Sequence, residues 1–348
     1  MKVGVYDPYL DTLGGGERYI LDIVRCLEKE NSVELFWNDD SIKNKIQTFL
    51  DISLLTTSIR PLPSSFQRLS YFKNLDLFFY VTDGSLFLYT GKKGFLIIQS
   101  PSHIPSLSLI DKAKLTRWQT ILCYSDFMKQ IIEKKLGIQA TVLAPAVDTS
   151  KFVPGKKEKI ILSVGRFFKH LHSKKQDVLI NAFTQMVREQ TINDWKLILV
   201  GSVKEEDSEY VDELRAMAKG YPVEIVTNAS FESIQKYYSS SSFFWHATGF
   251  GKDLDKNPEY AEHFGMVTVE AMAAQSIPVV FAGGGQKEIV EEGVNGFLFE
   301  TIDELKEKTL TIMKNSEIRK KILPALTARA KDFNEETFER ALYEIIQK

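Results

Sequence analysis

Residues 262–285 read EHFGMVTVEAMAAQSIPVVFAGGG. Seven residues separate Glu262 from Glu270, and His263-Phe264-Gly265 opens the interval. A glycine at 265 lets the backbone approach a ligand closely. The apolar run after it reads as a helix start, where free N–H groups and the positive dipole end suit a phosphate. Glu270 falls about one turn into that helix. One carboxylate before the turn and one on the first turn can grip two sets of hydroxyls on one ligand. Surface carboxylates often fall eight apart, so the spacing gains weight only from the residues beyond it. Ser276-Ile277-Pro278-Val279-Val280 reads as a buried strand, and Gly283-Gly284-Gly285, Glu288-Ile289-Val290 and Gly293-Val294-Asn295-Gly296-Phe297 succeed it.

Working outward, the chain has 348 residues, enough for two domains that each bury a core. Apolar residues make up 44% and charged residues 26%, a globular balance. The net charge of −2 argues against a general nucleic-acid binder. Between residues 51 and 140, however, eleven Lys/Arg stand against six Asp/Glu, which suits either a solvated face or a weak attraction to an anionic membrane or acceptor. Within that span Phe66, Leu69, Tyr71 and Phe72 stand beside Arg68 and Lys73, a mixture that suits either a membrane surface or a helix packed on its own domain. Cys26 and Cys123 lie far apart in apolar contexts, as expected of buried thiols in a reducing cytoplasm rather than a disulfide or zinc site. The opening MKVGVYDPYL has no apolar core of a signal peptide, and no apolar run reaches membrane-spanning length. The expected location is cytoplasmic, with any membrane contact peripheral and at the inner face.

Apolar strand patterns at 2–6, 33–37, 77–81, 95–99, 121–124 and 141–143 alternate with helical spacing at 17–28 and 127–136. Residues 52–75 show too little periodicity to assign. Pro145, Asp148, Pro154 and Gly155, followed by Lys156-Lys157-Glu158-Lys159, read as a linker. The pattern then restarts, with strands at 160–164, 197–200, 223–226, 243–246 and 277–281. Helices are expected at 177–189 and 210–218, and from an N-cap at Ser230 through 238. Uninterrupted apolar strands alternating with helices imply parallel sheets covered on both faces. The expected domains are 1–150 and 151–332, and residues 302–348 read as helices only.

The ordered string from Glu262 to Phe297 resembles the donor-sugar signature of the retaining glycosyltransferases of family 4, the group 1 glycosyltransferases. The segment Trp245-His246-Ala247-Thr248-Gly249-Phe250-Gly251 is similar to a subgroup related to lipid-linked oligosaccharide mannosyltransferases. This resemblance implies the GT-B architecture, an α/β fold of two facing Rossmann-like doubly wound domains. It also implies that the final segment, 333–348, crosses back to the first domain. A hexose of mannose or glucose type would pass from a GDP- or UDP-linked sugar to a glycan or lipid-linked glycan, with retention of configuration. No cofactor and no metal are implied. The rival readings are another GT-B enzyme, such as a sugar-nucleotide epimerase or phosphorylase, and a non-catalytic nucleotide-sugar-binding module.

The resemblance also assigns residues. Arg166, after the first strand of the second domain, and Lys174 would clamp the diphosphate, whose charge grows as the glycosidic bond breaks. Lys175 is the alternative to Lys174, because the family often has Gly where Lys175 stands. Gly15 and Gly16 would offer backbone N–H groups to the same phosphates. Glu270 would take the ribose hydroxyls and Glu262 those of the donor sugar. The amides of Phe264, Gly265 and Met266 would touch sugar and phosphate, with His263 beside them. His103, in Gln99-Ser100-Pro101-Ser102-His103, would stand near the reacting carbon, and Asp83 is an acceptor-side candidate or only a turn. His170 and His172 alternate but lack an evident third metal ligand.

Overall fold

The uninterrupted apolar runs become strands of two separate parallel sheets. The computed structural model describes residues 1–106, 108–170 and 173–348, which form one unit of Met1–Ala146 with Phe338–Lys348 and a second of Val147–Thr337. Among the described residues the first sheet contains β1 (Lys2–Tyr6), β2 (Ser32–Phe36), β3 (Ser58–Arg60), β4 (Leu77–Val81), β5 (Lys93–Ile97), β6 (Thr120–Cys123) and β7 (Thr141–Val142), in the order β3-β2-β1-β4-β5-β6-β7. The second contains β8 (Glu158–Val164), β9 (Lys196–Gly201), β10 (Val223–Thr227), β11 (Ser241–His246), β12 (Ile277–Phe281) and β13 (Phe297–Phe299), in the order β10-β9-β8-β11-β12-β13. Every pairing is parallel. Both orders reverse beside their first strand, the doubly wound arrangement in which ligands bind beyond the carboxyl ends at the switch point. That point lies between β1 and β4 in the first unit and between β8 and β11 in the second.

In the first unit the core is markedly aromatic: Phe72, Phe78, Tyr89 and Trp118 are buried together, with Phe78 and Tyr89 stacked at 5.5 Å. The unassigned stretch 52–75 holds the edge strand β3 and the helix Ser65–Tyr71. Three strand residues are too few to show a period. The last helix, Glu335–Gln347, sets its face on this unit. Phe338 meets Tyr19 edge-on at 5.8 Å, Glu339 pairs with Lys29 at 2.7 Å, and the Tyr343 hydroxyl donates to the Cys26 carbonyl at 3.1 Å. The units divide at 146/147 and 337/338. Cys26 and Cys123 are both buried, and burial pushes the Cys26 thiol up to about 12.

In the second unit the helix Met266–Ala273 is apolar almost all round and accordingly buried. Its C-terminal end is tied down by Lys157, whose ammonium donates to the carbonyls of Ala274, Tyr238 and Ser239. Burial lowers that lysine to about 8. Trp245, on β11, is fully buried and donates to Thr309 at 3.1 Å. Two glycines let the strand ends close up. A Cβ on Gly201 would stand 2.0 Å from the Gly165 carbonyl oxygen, and one on Gly165 would stand 2.6 Å from Cγ of Lys174. Among the described residues no helix is long and apolar enough to cross a membrane.

The Gly201 contact is with backbone, which cannot swing aside. Gly201→Ala is expected to destabilise the protein by about 1–3 kcal/mol in urea or thermal unfolding, as overpacking does. A midpoint equal to wild type would show that the β8 and β9 ends have room the structure does not show.

Candidate functional site

The second unit's switch point gathers most of the expected donor residues. β8 ends at Val164, and Gly165-Arg166 follow it. β11 ends at His246, and the loop from 247 leads through Glu262 to the helix Met266–Ala273. Gly265 begins that helix at φ +120°, and a Cβ there would stand 2.8 Å from the Gln286 amide nitrogen. Only glycine meets both demands. The triplet that follows β12 straps the Glu262 loop. The Gly285 amide donates to the Glu262 carbonyl at 2.8 Å, and a Cβ on Gly284 (φ +61°) would stand 2.1 Å from that carbonyl oxygen.

Lys174 crosses over Gly165 to reach Glu262, Nζ to Oε2, at 2.5 Å. The two side chains are only 18% and 16% exposed. His246, 1% exposed, places Nε2 3.0 Å from the same carboxylate oxygen. Burial alone would push the Glu262 carboxyl up. The Lys174 charge and the His246 hydrogen bond overcome burial and hold it well below the usual carboxylate range. Burial keeps the His246 ring below its ordinary value, although Glu262 pulls the other way. The site therefore carries an ionised carboxylate, an ammonium and a neutral imidazole.

Glu270 lies one turn along, where its Oε2 accepts from the Tyr238 hydroxyl at 2.8 Å. Arg166 is exposed, its guanidinium 5.7 Å from the Phe168 ring. Phe264 is buried and packs edge-on against Phe333 at 5.2 Å, so only its backbone can face a ligand. His263 is buried, and Met266 is half-buried in the first turn of the helix. Lys175 takes the left-handed conformation at φ +57° as the helix N-cap. Glycine adopts this backbone without strain, so the family's usual residue suits the position better than lysine does. The Lys175 side chain lines a separate cavity of ≈ 220 Å³ with Lys169, His170, Ser173, Lys252 and Tyr260. The structure thus brings Lys174, and not Lys175, to Glu262.

In the first unit Gly14 precedes the helix Gly15–Glu28, and the Glu17 carboxylate accepts from the Gly14 amide at 2.6 Å. The Gln99 amide lies against Gly16, donating to its carbonyl at 3.0 Å, and leaves no space for a Cβ there. His103 stacks on Tyr9 at 5.3 Å, and its buried Nδ1 has no hydrogen-bond partner among the described residues. Burial lowers its pKa, with Asp83 opposing. Asp83 builds a turn, accepting from the Ser85 amide at 2.9 Å, with Gly84 at φ +100°.

Sequence reasoning passes over four residues here. His246 and Gln286 stand in the motif strings only as spacing, and Tyr238 only as a helix residue. Asp7, which follows β1, is fully buried. Its Oδ1 accepts from the Tyr9 amide at 2.9 Å, and its Oδ2 has no partner among the described residues. Burial, then the charge of Glu17, pushes its carboxyl up to about 7. As for metals, His172 lies outside the described residues. The sequence reading finds no obvious Asp-x-Asp pair, but Asp253-Leu254-Asp255 has that spacing; in the structure Asp253 pairs with Lys256 at 3.0 Å. Among the described residues no group of three His, Cys, Asp or Glu is placed to hold a metal ion.

Residues 147–326 match the family of glycosyl transferases, group 1, which is just over half the chain, and the protein belongs to that family. It is similar to a GDP-Man:Man(3)GlcNAc(2)-PP-Dol alpha-1,2-mannosyltransferase of Xenopus laevis, 28% identical over 186 residues that cover 49% of this chain and 35% of the relative. The human protein of the same name is 26% identical over 234 residues, covering 62% and 45%. The chain thus spans less than half the length of these relatives. Among solved structures, a glycosyltransferase from Rickettsia africae superposes with a TM-score of 0.77 at 16% identity, covering 99% of this chain and 97% of that one. HepE of Anabaena, in complex with UDP and glucose, gives 0.73 at 18% identity, covering 100% and 99%. These likenesses establish the GT-B fold.

Asp7 gives a pH test. Its native carboxyl holds a proton more tightly than the unfolded one, so raising the pH from about 4 to about 7 costs the native state stability. Asp7→Asn keeps the acceptor for Tyr9 and removes the titration. Its unfolding free energy should gain on wild type by up to a few kcal/mol across that range and keep a constant lead above it. Parallel pH profiles of the two proteins would contradict this account of Asp7.

Proposed function

We propose that the protein transfers a hexose from a nucleoside-diphosphate sugar to a glycan hydroxyl, with retention of configuration and without a metal ion. The observation that carries the reading is the Lys174–Glu262 pair at the second switch point, beside the first turn of the helix that presents Glu270. It lies in a segment that matches the family. On this reading the second unit holds the donor. Glu270 takes the ribose hydroxyls, the free Gly265-side amides and Lys174 with Arg166 take the diphosphate, and Glu262 takes hydroxyls of the sugar. Both contacts to the Glu262 carboxylate among the described residues fall on Oε2, which leaves Oε1 for the sugar. In the reaction the bond from C1 to the phosphate oxygen breaks and a bond from C1 to the acceptor oxygen forms on the same face. The acceptor's proton passes to the departing phosphate oxygen, so no enzyme nucleophile is required. Charge developing on the diphosphate meets Arg166 and Lys174 rather than a cation.

Mannose carried by GDP is the favoured donor, because the relatives' names specify it. Thermal stabilisation across a panel of GDP-, UDP- and ADP-sugars tests that choice; a ligand at 100 times its dissociation constant adds about 2.7 kcal/mol. With the stabilising donor, Arg166→Ala and Lys174→Ala should each cut turnover about 100-fold, while Lys175→Ala stays near wild type and excess EDTA changes nothing. Full activity in both clamp variants, or silencing by EDTA with recovery on manganese, would reject the mechanism.

The acceptor we favour is lipid-linked, and the first unit offers a surface for a membrane. Phe66 is 93% exposed, and Leu69, Leu88, Leu109 and Ile110 are exposed on adjoining segments. Those segments are joined by hydrogen bonds from Thr90 to the Leu69 carbonyl and from Lys114 to the Leu86 carbonyl, and by Arg68 over the Phe87 ring. Arg68 and Lys112 stand on the same helices as Leu69 and Leu109, and Lys73 follows the first of these helices. Tyr71 and Phe72, for which the sequence left a membrane face and packing on their own domain both open, are not part of it. Phe72 is fully buried, and the Tyr71 hydroxyl bonds Glu34 at 2.5 Å, because both rings are needed to close the core over β2. Apolar side chains among cations suit the headgroup region of an anionic leaflet at its cytoplasmic face. Flotation with anionic vesicles should fall with salt and be lost in Phe66→Ser/Leu109→Ser/Ile110→Ser. A protein that does not float at low salt has a soluble acceptor instead.

A further inference from the structure

We infer that His246, with its tautomer fixed by Gln286, is the positioning residue that aims the Glu262 carboxylate at the donor sugar. The inference rests on the reading of Glu262 as the sugar-binding carboxylate. The ring sits at the very end of β11, buried, between two hydrogen-bonding partners on opposite sides. Its Nε2 lies 3.0 Å from Glu262 Oε2, and its Nδ1 lies 3.3 Å from the Gln286 side-chain nitrogen. Thr248 Oγ1 stands 3.2 Å from Nε2 as well.

A carboxylate can only accept, so the ring nitrogen facing it must carry hydrogen. A neutral ring has one such nitrogen, and Nδ1 must then accept. The Gln286 amide meets that need by presenting N–H to Nδ1. Were the amide reversed, its carbonyl would face a bare ring nitrogen, and the only remedy would be an imidazolium in a fully buried place. Burial disfavours that charge here. One arrangement therefore gives the Glu262 carboxylate and both ring nitrogens a partner, while Oε1 of Gln286 has none among the described residues. Gln286 is itself fully buried at the start of the helix Gln286–Ile289 and packed against Gly265.

The consequence is directional. Lys174 and His246 approach one oxygen of Glu262 from two sides, and two hydrogen bonds to one atom hold the carboxylate in a single orientation. Lys174 alone, on a flexible stem with three rotatable donors, would fix the charge but not the plane. Holding the plane fixes where Oε1 points, and hence which sugar hydroxyl it can accept from.

The test uses the full chain and titration calorimetry with GDP and GDP-mannose, or UDP and UDP-glucose if the donor panel favours uridine. The gain in affinity from diphosphate to sugar nucleotide isolates the sugar contact. Glu262→Gln should reduce that gain about tenfold. His246→Met, which keeps the bulk but loses the donor, should reduce it similarly and leave affinity for the bare diphosphate unchanged. His246→Gln, which retains an N–H near Nε2, should recover most of it. Combining His246→Met with Glu262→Gln should add nothing further, as for groups acting through one another. Losses that add in the double variant, or a His246→Met that weakens the bare diphosphate equally, would overturn the inference while leaving the sugar role of Glu262 intact. An unchanged gain in Glu262→Gln would instead remove that role, and the inference with it. Should His246→Met fail to fold, Gln286→Met provides the same comparison by freeing the tautomer, and an unaltered sugar gain in that variant would equally overturn the inference.

Discussion

A full negative charge at residue 262 has to survive where burial would otherwise neutralise it, and much of the second unit is arranged around that need. The ammonium of Lys174 reaches the carboxylate only because Gly165 has no side chain to block it, and Gly165 in turn sits against Gly201. His246 arrives from the end of a different strand, with Gln286 behind it. The glycines at 284 and 285 hold the backbone of the same residue from below. Removing any one partner would leave a poorly solvated charge, which is far costlier than losing a surface ion pair.

The two units share one topology but oppose each other in chemistry. The second switch point gathers cations and a helix N-terminus, the features that recognise phosphate. The first gathers carboxyls: Asp7 buried and pushed up to about 7, Glu17 on the Gly14 amide, and Asp83 in its turn. Acidic and neutral groups suit hydroxyl recognition better than phosphate recognition. Glu17 also occupies an amide at the start of the very helix whose glycines resemble a phosphate cradle, so Gly15 and Gly16 offer only part of that helix end. The same scaffold thus carries phosphate-type groups at one sheet edge and hydroxyl-type groups at the other, because parallel strands place all their carboxyl ends, and the loops that follow them, on one edge.

The final helix is the part of the fold most dependent on distant sequence. Its amphipathic pattern is plain at 338–346, but an amphipathic helix packs on any apolar groove. What assigns it to the first unit is a set of particular partners more than 200 residues away: Tyr19, Lys29, Cys26 and Lys93.

The sequence by itself determined the strand and helix alternation, the restart of the pattern after the linker, and the motif from Glu262 to Phe297, because apolar runs, glycines and paired carboxylates are local signals that survive in one dimension. It also placed Arg166 and Lys174 near the right strand end, though it could not separate Lys174 from Lys175. Neighbouring lysines are chemically alike, and only the left-handed backbone at 175 turns one of them away. Short elements such as β3 and β13 carry too few residues to show a period. Tyr71 and Phe72 look like surface aromatics until their ring partners are visible. Tertiary structure alone decided the site's finer chemistry. A histidine becomes a hydrogen-bond donor to a carboxylate, an aspartate becomes a proton-holding acid, and a glutamine becomes a tautomer clamp through neighbours 16, 10 and 40 residues away in sequence. Burial and distance in space set those properties, and neither is written in the order of the chain.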